Sequence, residues 1–504
     1  MQRVNMDNRE YIIGIDIGSS NVTMAVGTRN EDGNVTVLGV EVQKVESCCV
    51  KDGDVKNHIL LGDAIAKAKN DLESYLELRL NSAYVGISGC SVYCVRYEDY
   101  VDINERTGCV TDVEMRELNA RIDAVAPQGA DVIIDRIPLR YCIDDRQEVT
   151  NPLGAYGRKL SVSYLYVMTD RFQIDRVNKA LHRAGIRNCG LCISPTLLPD
   201  LLLTPEEKEE GVAIVDIGGD LTDITVVREG KLHYFSSLPI GSSSINNDLQ
   251  AALNIPKKDV EIIKHRYGAA IAASVPEDLA ISIKTVANKN KKPILQRNIA
   301  EIAEERLKDI ARFVSRELKA AKFSTRIPCG VVLTGGATYL ANIDQLFARE
   351  LKMDVRFGDV LNNVDDQSQE VVCALPQSVA VGLLLYGAKH QACDTFAPPT
   401  PLVEEIVPDT SLVIKDEQPI EVEVESVEID KIVTLPEHKP EEEQEKEQER
   451  VVLEQEEKLD HEGENDGEDE DEDENEKPQK KSKRGFFQKF IEWIDTKLEN
   501  DEYL

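Results

Sequence analysis

One short pattern occurs twice in this chain and constrains the fold more than anything else in it. Tyr11–Gly27 reads YIIGIDIGSSNVTMAVG, and Gly211–Val227 reads GVAIVDIGGDLTDITVV. In each copy an apolar run ends beside an aspartate, Asp16 or Asp216. A glycine-containing turn follows, and a second apolar run leads away. Short apolar runs bounded by turn residues read as buried strands. A single D-x-G turn says little, because such turns join hairpins of every kind. Two copies about 200 residues apart, each flanked by strands, predict two halves that open with the same hairpin.

The residue types in these turns point to an anion. Glycine permits close approach of the backbone and positive φ, and successive N–H groups in a tight turn form a nest for phosphate. A carboxylate beside that nest repels the anion, so Asp16 and Asp216 make chemical sense if a divalent cation or its water shell stands between. A third glycine site, Val331-Val-Leu-Thr-Gly-Gly336, reads as a strand turning into a helix over Tyr339–Leu351. Backbone N–H groups at a helix start face a ligand.

Between these sites the chain alternates strands and helices. Val35–Val45 reads as a strand and Ile59–Leu80 as a helix. Residues 91–165 read as an insertion with its own small core: a strand, a helix capped by Thr111 with Glu114 at the capping-box position, and two strands, Val132–Pro138 and Leu160–Met168. Gln296–Lys322 is a long amphipathic helix.

Charge separates a body from a tail. Residues 395–504 hold 13 Lys and Arg against 37 Asp and Glu, a net of −24 within a total of −33, which leaves −9 for residues 1–394. The body lacks the excess of Lys and Arg that contacts phosphates, so no nucleic-acid partner is expected. Residues 395–479 are rich in glutamate and poor in aromatics and cannot bury enough surface to fold, which predicts a disordered, charge-extended linker. A basic block, Lys480, Lys481, Lys483 and Arg484, follows it. Beyond Gly485, the side chains of Phe486, Phe487, Phe490, Ile491, Trp493, Ile494 and Leu498 fall in one helical arc of about 160°. Such a helix behind a disordered linker is expected to lie in a membrane interface, with the basic block meeting anionic lipid. Met1–Glu10 is polar, with no signal-peptide core, and no apolar run reaches transmembrane length. The eleven cysteines have neither zinc nor disulfide spacing and read as thiols of a reducing compartment.

The order of sites, D-x-G hairpin, D-x-G-G hairpin and GG turn, resembles the actin, heat-shock chaperone and sugar-kinase ATPase superfamily. Within it the chain resembles the FtsA family of bacterial cell-division proteins. The matching stretches are the insertion with Asn151-Pro-Leu-Gly154, Glu261-Ile-Ile-Lys264 with Arg266-Tyr-Gly268, Leu333-Thr-Gly-Gly-Ala337, Val381-Gly-Leu-Leu384 and the C-terminal helix. The resemblance implies an α/β chain with a two-lobed actin-like ATPase fold and an inserted small α+β subdomain, followed by the disordered acidic linker and the amphipathic helix. The first lobe would comprise 11–90 and 166–205 around the insertion 91–165. The second would comprise 206–245, an outer subdomain 246–328, and 329–394 with the return to the first lobe. The linker would be 395–479 and the membrane segment 480–504.

ATP with Mg²⁺ is the implied cofactor. Gly18, Ser19, Ser20 and Asn21 would hold the terminal phosphates from one side, and Gly218, Gly219 and Asp220 from the other. Asp16 and Asp216 would reach the metal. Glu261 and Lys264 would contact the ribose and adenine region, with Gly335, Gly336 and Ala337 lining the adenosine side. No catalytic residue is assigned. Asp220 stands where the family usually has a third glycine, and an extra carboxylate beside the terminal phosphate implies weak hydrolysis at most. The implied partners are the C-terminal peptide of FtsZ, further copies of the chain in filaments, later division proteins and membrane lipid. The implied location is the cytoplasmic face of the inner membrane at the division site. Two other readings are a PilM-like actin-fold assembly protein of a pilus system and a small-molecule kinase of the same superfamily.

Overall fold

The computed structural model describes residues 11–390, apart from 47, 128, 286–287, 360–362, 366–367 and 369–376. The expected linker, 395–479, and the expected C-terminal helix lie outside the described residues. Contacts gather the described residues into one large unit and leave only Asp278–Ile281 outside it.

The first hairpin is β1 (Tyr11–Ile17) and β2 (Asn21–Arg29), continued by β3 (Val35–Lys44). A small hairpin, β4 (Val50–Lys51) and β5 (Asp54–Val55), leads to α1 (His58–Leu76) and β6 (Ser82–Ile87). Asn57 starts α1 by accepting from the Ile59 and Leu60 N–H groups. The helix stops at Glu77, whose φ is +55°, rather than continuing to Leu80. Leu80 is buried all the same, in the turn into β6.

The insertion follows: β7 (Tyr93–Asp102), α2 (Asp112–Ala124), β8 (Asp131–Ile143), the short β9 (Gln147–Val149) and β10 (Lys159–Asp170). Its sheet order is β7-β10-β8-β9, antiparallel throughout. Leu118 and Ile122 of α2 pack with Leu160, Val162 and Tyr166 in a separate core. The Thr111–Glu114 capping box is present.

The chain re-enters the first lobe through α3 (Arg171–Arg183), β11 (Arg187–Ile193), α4 (Ser194–Leu202) and the short α5 (Pro205–Glu210). The second lobe begins with β12 (Val212–Ile217), β13 (Thr222–Arg228) and β14 (Lys231–Leu238). Its outer helices are α6 (Ser243–Leu253), α7 (Lys257–Tyr267) and, after β15 (Ala280–Thr285) and β16 (Asn288–Leu295), the 25-residue α8 (Gln296–Ala320). Ile299, Ala303, Leu307, Ile310, Val314 and Leu318 form the buried stripe of α8, the larger side chains each contributing about 1.5–3 kcal/mol by leaving water. The chain closes with β17 (Val331–Thr334), α9 (Ile343–Leu351), β18 (Val355–Phe357) and α10 (Ser378–Lys389).

The two lobes have one sheet topology. The first reads β3-β2-β1-β6-β11 and the second β14-β13-β12-β17-β18. In both, three antiparallel strands in a meander are followed by two parallel ones. The helix α10 is buried along almost its whole length against β1, β2 and α4, which returns the end of the second half to the first lobe. No helix among the described residues is long and apolar enough to cross a membrane.

Candidate functional site

The two hairpins share one register. Asp16 is opposite Thr23 and Asp216 opposite Asp223. The turns close alike: the Gly18 N–H donates to Asn21 O at 3.0 Å and the Gly218 N–H to Leu221 O at 2.9 Å. The expectation of positive φ at these turn glycines is not met. Gly18, Gly218 and Gly219 have no left-handed backbone, and close approach selects glycine at Gly18 and Gly219. A Cβ on Gly219 would collide with the Ser20 hydroxyl and press on that of Ser19. The Asp220 N–H donates to Ser19 Oγ at 3.1 Å, so the two tips touch.

Beneath the tips lies a cleft of about 360 Å³. Asp16, Gly18, Ser19, Ser20, Asn21, Asp216, Gly218, Gly219, Glu261, Gly335 and Gly336 all line it. Asp220, Lys264 and Ala337 do not. Asp220 turns its carboxylate to Lys51 Nζ, 3.2 Å away, and Ala337 is buried. Lys264 is 1 % exposed and sits behind Glu261, its Nζ 2.9 Å from Glu261 Oε1.

The carboxylate floor has three members. Asp223, absent from the sequence-based set, joins Asp16 and Asp216. Burial, partly offset by a 3.1 Å hydrogen bond from Ser194 Oγ, pushes Asp16 up to about 7. Burial, then the charges of Asp223 and Asp16, push Asp216 up to about 8. Burial raises Asp223 to about 6 against hydrogen bonds from Ser237 and Ser88. Among the described residues no set of three His, Cys, Asp or Glu closes into a ready-made metal cage. The donor set suits a cation that keeps water and takes its remaining ligands from phosphate, which is how Mg²⁺ is ordinarily held.

Glu261 is fixed from three sides. Lys264, His265 Nε2 at 2.8 Å and Asn246 all bond its carboxylate. Burial alone would raise it; these partners outweigh burial and hold it at about 2. His265 lines the cleft with Tyr339, their rings edge to face at 5.8 Å. The expected helix from Tyr339 is corrected: Gly336–Tyr339 is a single 3-10 turn, and α9 begins at Ile343. The 3-10 turn, not an α-helix N-terminus, is what meets the cleft. Gly335 has φ +90°, and a Cβ there would strike Asp216. At Gly336 a Cβ would meet no atom within 4 Å.

Duplicated lobes around a carboxylate-floored cleft define an actin-like fold. The solved structure titled PilM-PilN type IV pilus biogenesis complex shares it, with a TM-score of 0.53 at 16% identity over 75% of this chain and 98% of that one. That likeness extends to the fold alone. Family models narrow it: Cell division protein FtsA matches residues 213–375, and SHS2 domain inserted in FTSA matches 89–168. Cell division protein FtsA of Pseudomonas aeruginosa is 30% identical over 393 residues, 77% of this chain and 92% of the relative. Those of Escherichia coli K12 and Bacillus subtilis are 27% and 28% identical, over 92% and 79% of their lengths. The chain belongs to the FtsA family of cell-division proteins.

Proposed function

We propose that this chain binds ATP with Mg²⁺ in the cleft and, in that state, assembles on the membrane as the anchor of FtsZ filaments. The observation that carries the reading is the meeting of two equivalent hairpin tips over three buried carboxylates. When bound, the metal supplies the positive charge that lets carboxylates and phosphates share one site. The chain's own groups do the rest. N–H groups and hydroxyls at Ser19, Ser20 and Gly219 would hold the phosphate tail. Asp16, Asp216 and Asp223 would hold the metal's water shell. Glu261, locked by Lys264 and His265, would present a fixed acceptor to the sugar, and Tyr339 a ring face to the base. A nucleotide touching both lobes stabilises their closed arrangement by its differential affinity.

Assembly supplies what one interfacial helix lacks. A single helix binds lipid reversibly, and a filament multiplies that affinity by presenting many. FtsZ, through its C-terminal peptide, would dock on the outer helices of the second lobe, and later division proteins would be recruited to the assembled filament. Membrane attachment would place the chain on the cytoplasmic face at the division site. The test uses the full chain and its single tryptophan, Trp493. Addition of anionic liposomes with ATP and Mg²⁺ should shift its emission to the blue, and FtsZ carrying its C-terminal peptide should co-sediment with the vesicles. Emission unchanged under conditions where filaments form would sink the tether. Phosphoryl transfer to a small acceptor would favour a kinase instead.

A further inference from the structure

A polyphosphate is bound most strongly through charge-assisted hydrogen bonds from cationic side chains. Asp16, Asp216, Asp223 and Glu261 line the cleft, and no Lys or Arg does among the described residues. Lys264 is committed to Glu261. The ion pair made to a hairpin tip comes from Lys51, whose Nζ is 3.2 Å from Asp220 Oδ2 and 3.2 Å from Asp52 Oδ1.

Lys51 has a rigid base and a free arm. The β4–β5 hairpin is clamped to the first lobe: Gln173 accepts from the Val55 N–H at 3.0 Å and donates to Gly53 O at 2.8 Å, and the Cys90 N–H donates to Asp52 O. The Lys51 side chain itself is 55% exposed, while Asp220 is 14% exposed and belongs to the second lobe. An ion pair with one partner in solvent is screened and exchanges more readily than a fully buried one. An ammonium on a four-carbon stem can redirect its donors without moving the backbone. Asp220 stands between Gly219 and Leu221, both of which line the cleft.

We propose that Lys51 reads the number of phosphates, with Asp220 holding it until a triphosphate arrives. The terminal phosphate competes with the Asp220 carboxylate for the ammonium. When it wins, the inter-lobe pair opens and Lys51 bonds the phosphate. A diphosphate leaves the pair closed. Asp220 is then a competitor that sets the threshold, and the chain distinguishes ATP from ADP at a residue outside the cleft wall. This inference rests on the proposal that the cleft binds nucleotide.

The experiment is equilibrium binding to the full chain, with Mg²⁺, of methylanthraniloyl-ADP and of its β,γ-imido triphosphate counterpart. Lys51→Met should weaken triphosphate binding roughly tenfold, the scale of one charge-assisted bond, and change diphosphate binding less than about twofold. Asp220→Asn should tighten triphosphate binding severalfold. Adding Lys51→Met to Asp220→Asn should erase that gain, which a merely structural pair would not predict. Thermal unfolding of each variant checks the fold. An unchanged ratio of the two affinities in Lys51→Met overturns the inference alone. If the unaltered chain binds neither nucleotide, the nucleotide proposal fails and takes the inference with it.

Discussion

Asp223 lies directly opposite Asp216 across the β12–β13 pair, and Thr23 holds the equivalent place opposite Asp16. Opposite residues of an antiparallel pair point to the same face with Cβ atoms about 5 Å apart. The second hairpin therefore carries two carboxylates where the first carries one, and burial raises both. Ionised together they repel, and a bound cation would relieve that repulsion.

Asp223→Asn should therefore weaken the Mg²⁺-dependent part of nucleotide binding by roughly tenfold, the lower end for groups that orient a metal's ligands. Binding in chelator should change little. Titration of nucleotide with and without Mg²⁺ separates the two, and an equal loss in both would assign Asp223 to folding.

The metal-free protein should lose stability as pH rises. Asp216 ionises near 8 in the fold against 3.8 ordinarily. Between those values the folded state keeps a proton that the unfolded chain has released, so its contribution is full below about 4 and disappears as pH climbs through about 8. The slope is at most about 1.4 kcal/mol per pH unit per proton. Denaturation in chelator from about pH 6 to 8 should show it, and Asp216→Asn should flatten it.

The adjacent glycines should behave differently. Gly335→Ala forces a left-handed backbone on alanine and a Cβ into Asp216, a cost of about 2 kcal/mol or more. Gly336→Ala meets nothing in the protein and should leave stability within about 0.5 kcal/mol. Its methyl enters the cleft, so nucleotide affinity should fall. Unfolding curves and binding isotherms on the same samples decide this.

Lys264→Ala should destabilise the fold by about 2–3 kcal/mol, because it removes a buried stem and strips Glu261 of a partner. Lys264→Met keeps the volume and should cost less. If both variants fold normally and lose nucleotide equally, Lys264 touches the ligand directly.

The duplicated hairpins are legible in strand periodicity and turn residues, since both signals are local. Asp223 is within reach of the same reasoning: it lies seven residues after Asp216, as Thr23 does after Asp16. An isolated acid inside an apolar strand simply gives no sign of which face it takes. Glu261, Lys264 and His265 are harder. Positions three and four apart share a helix face, and spacing cannot say which of them meets the cleft and which lies behind it. Tyr339 is hidden by the expected helix start. Asn342, with φ +63°, interrupts the chain before α9, a backbone event with no side-chain signature beyond the asparagine itself.

The two halves, the inserted subdomain and the carboxylates beside each turn follow from local chemistry, because strand burial and turn geometry are written in neighbouring residues. Only the folded arrangement makes the tips touch, gathers Asp16 with Asp216 and Asp223 on one floor, turns Glu261 rather than Lys264 to the cleft, and brings Lys51 to Asp220 across 169 positions of chain. Those are meetings between segments whose spacing or separation carries no signal of contact, and they depend on how two sheets of one topology are packed rather than on any local preference.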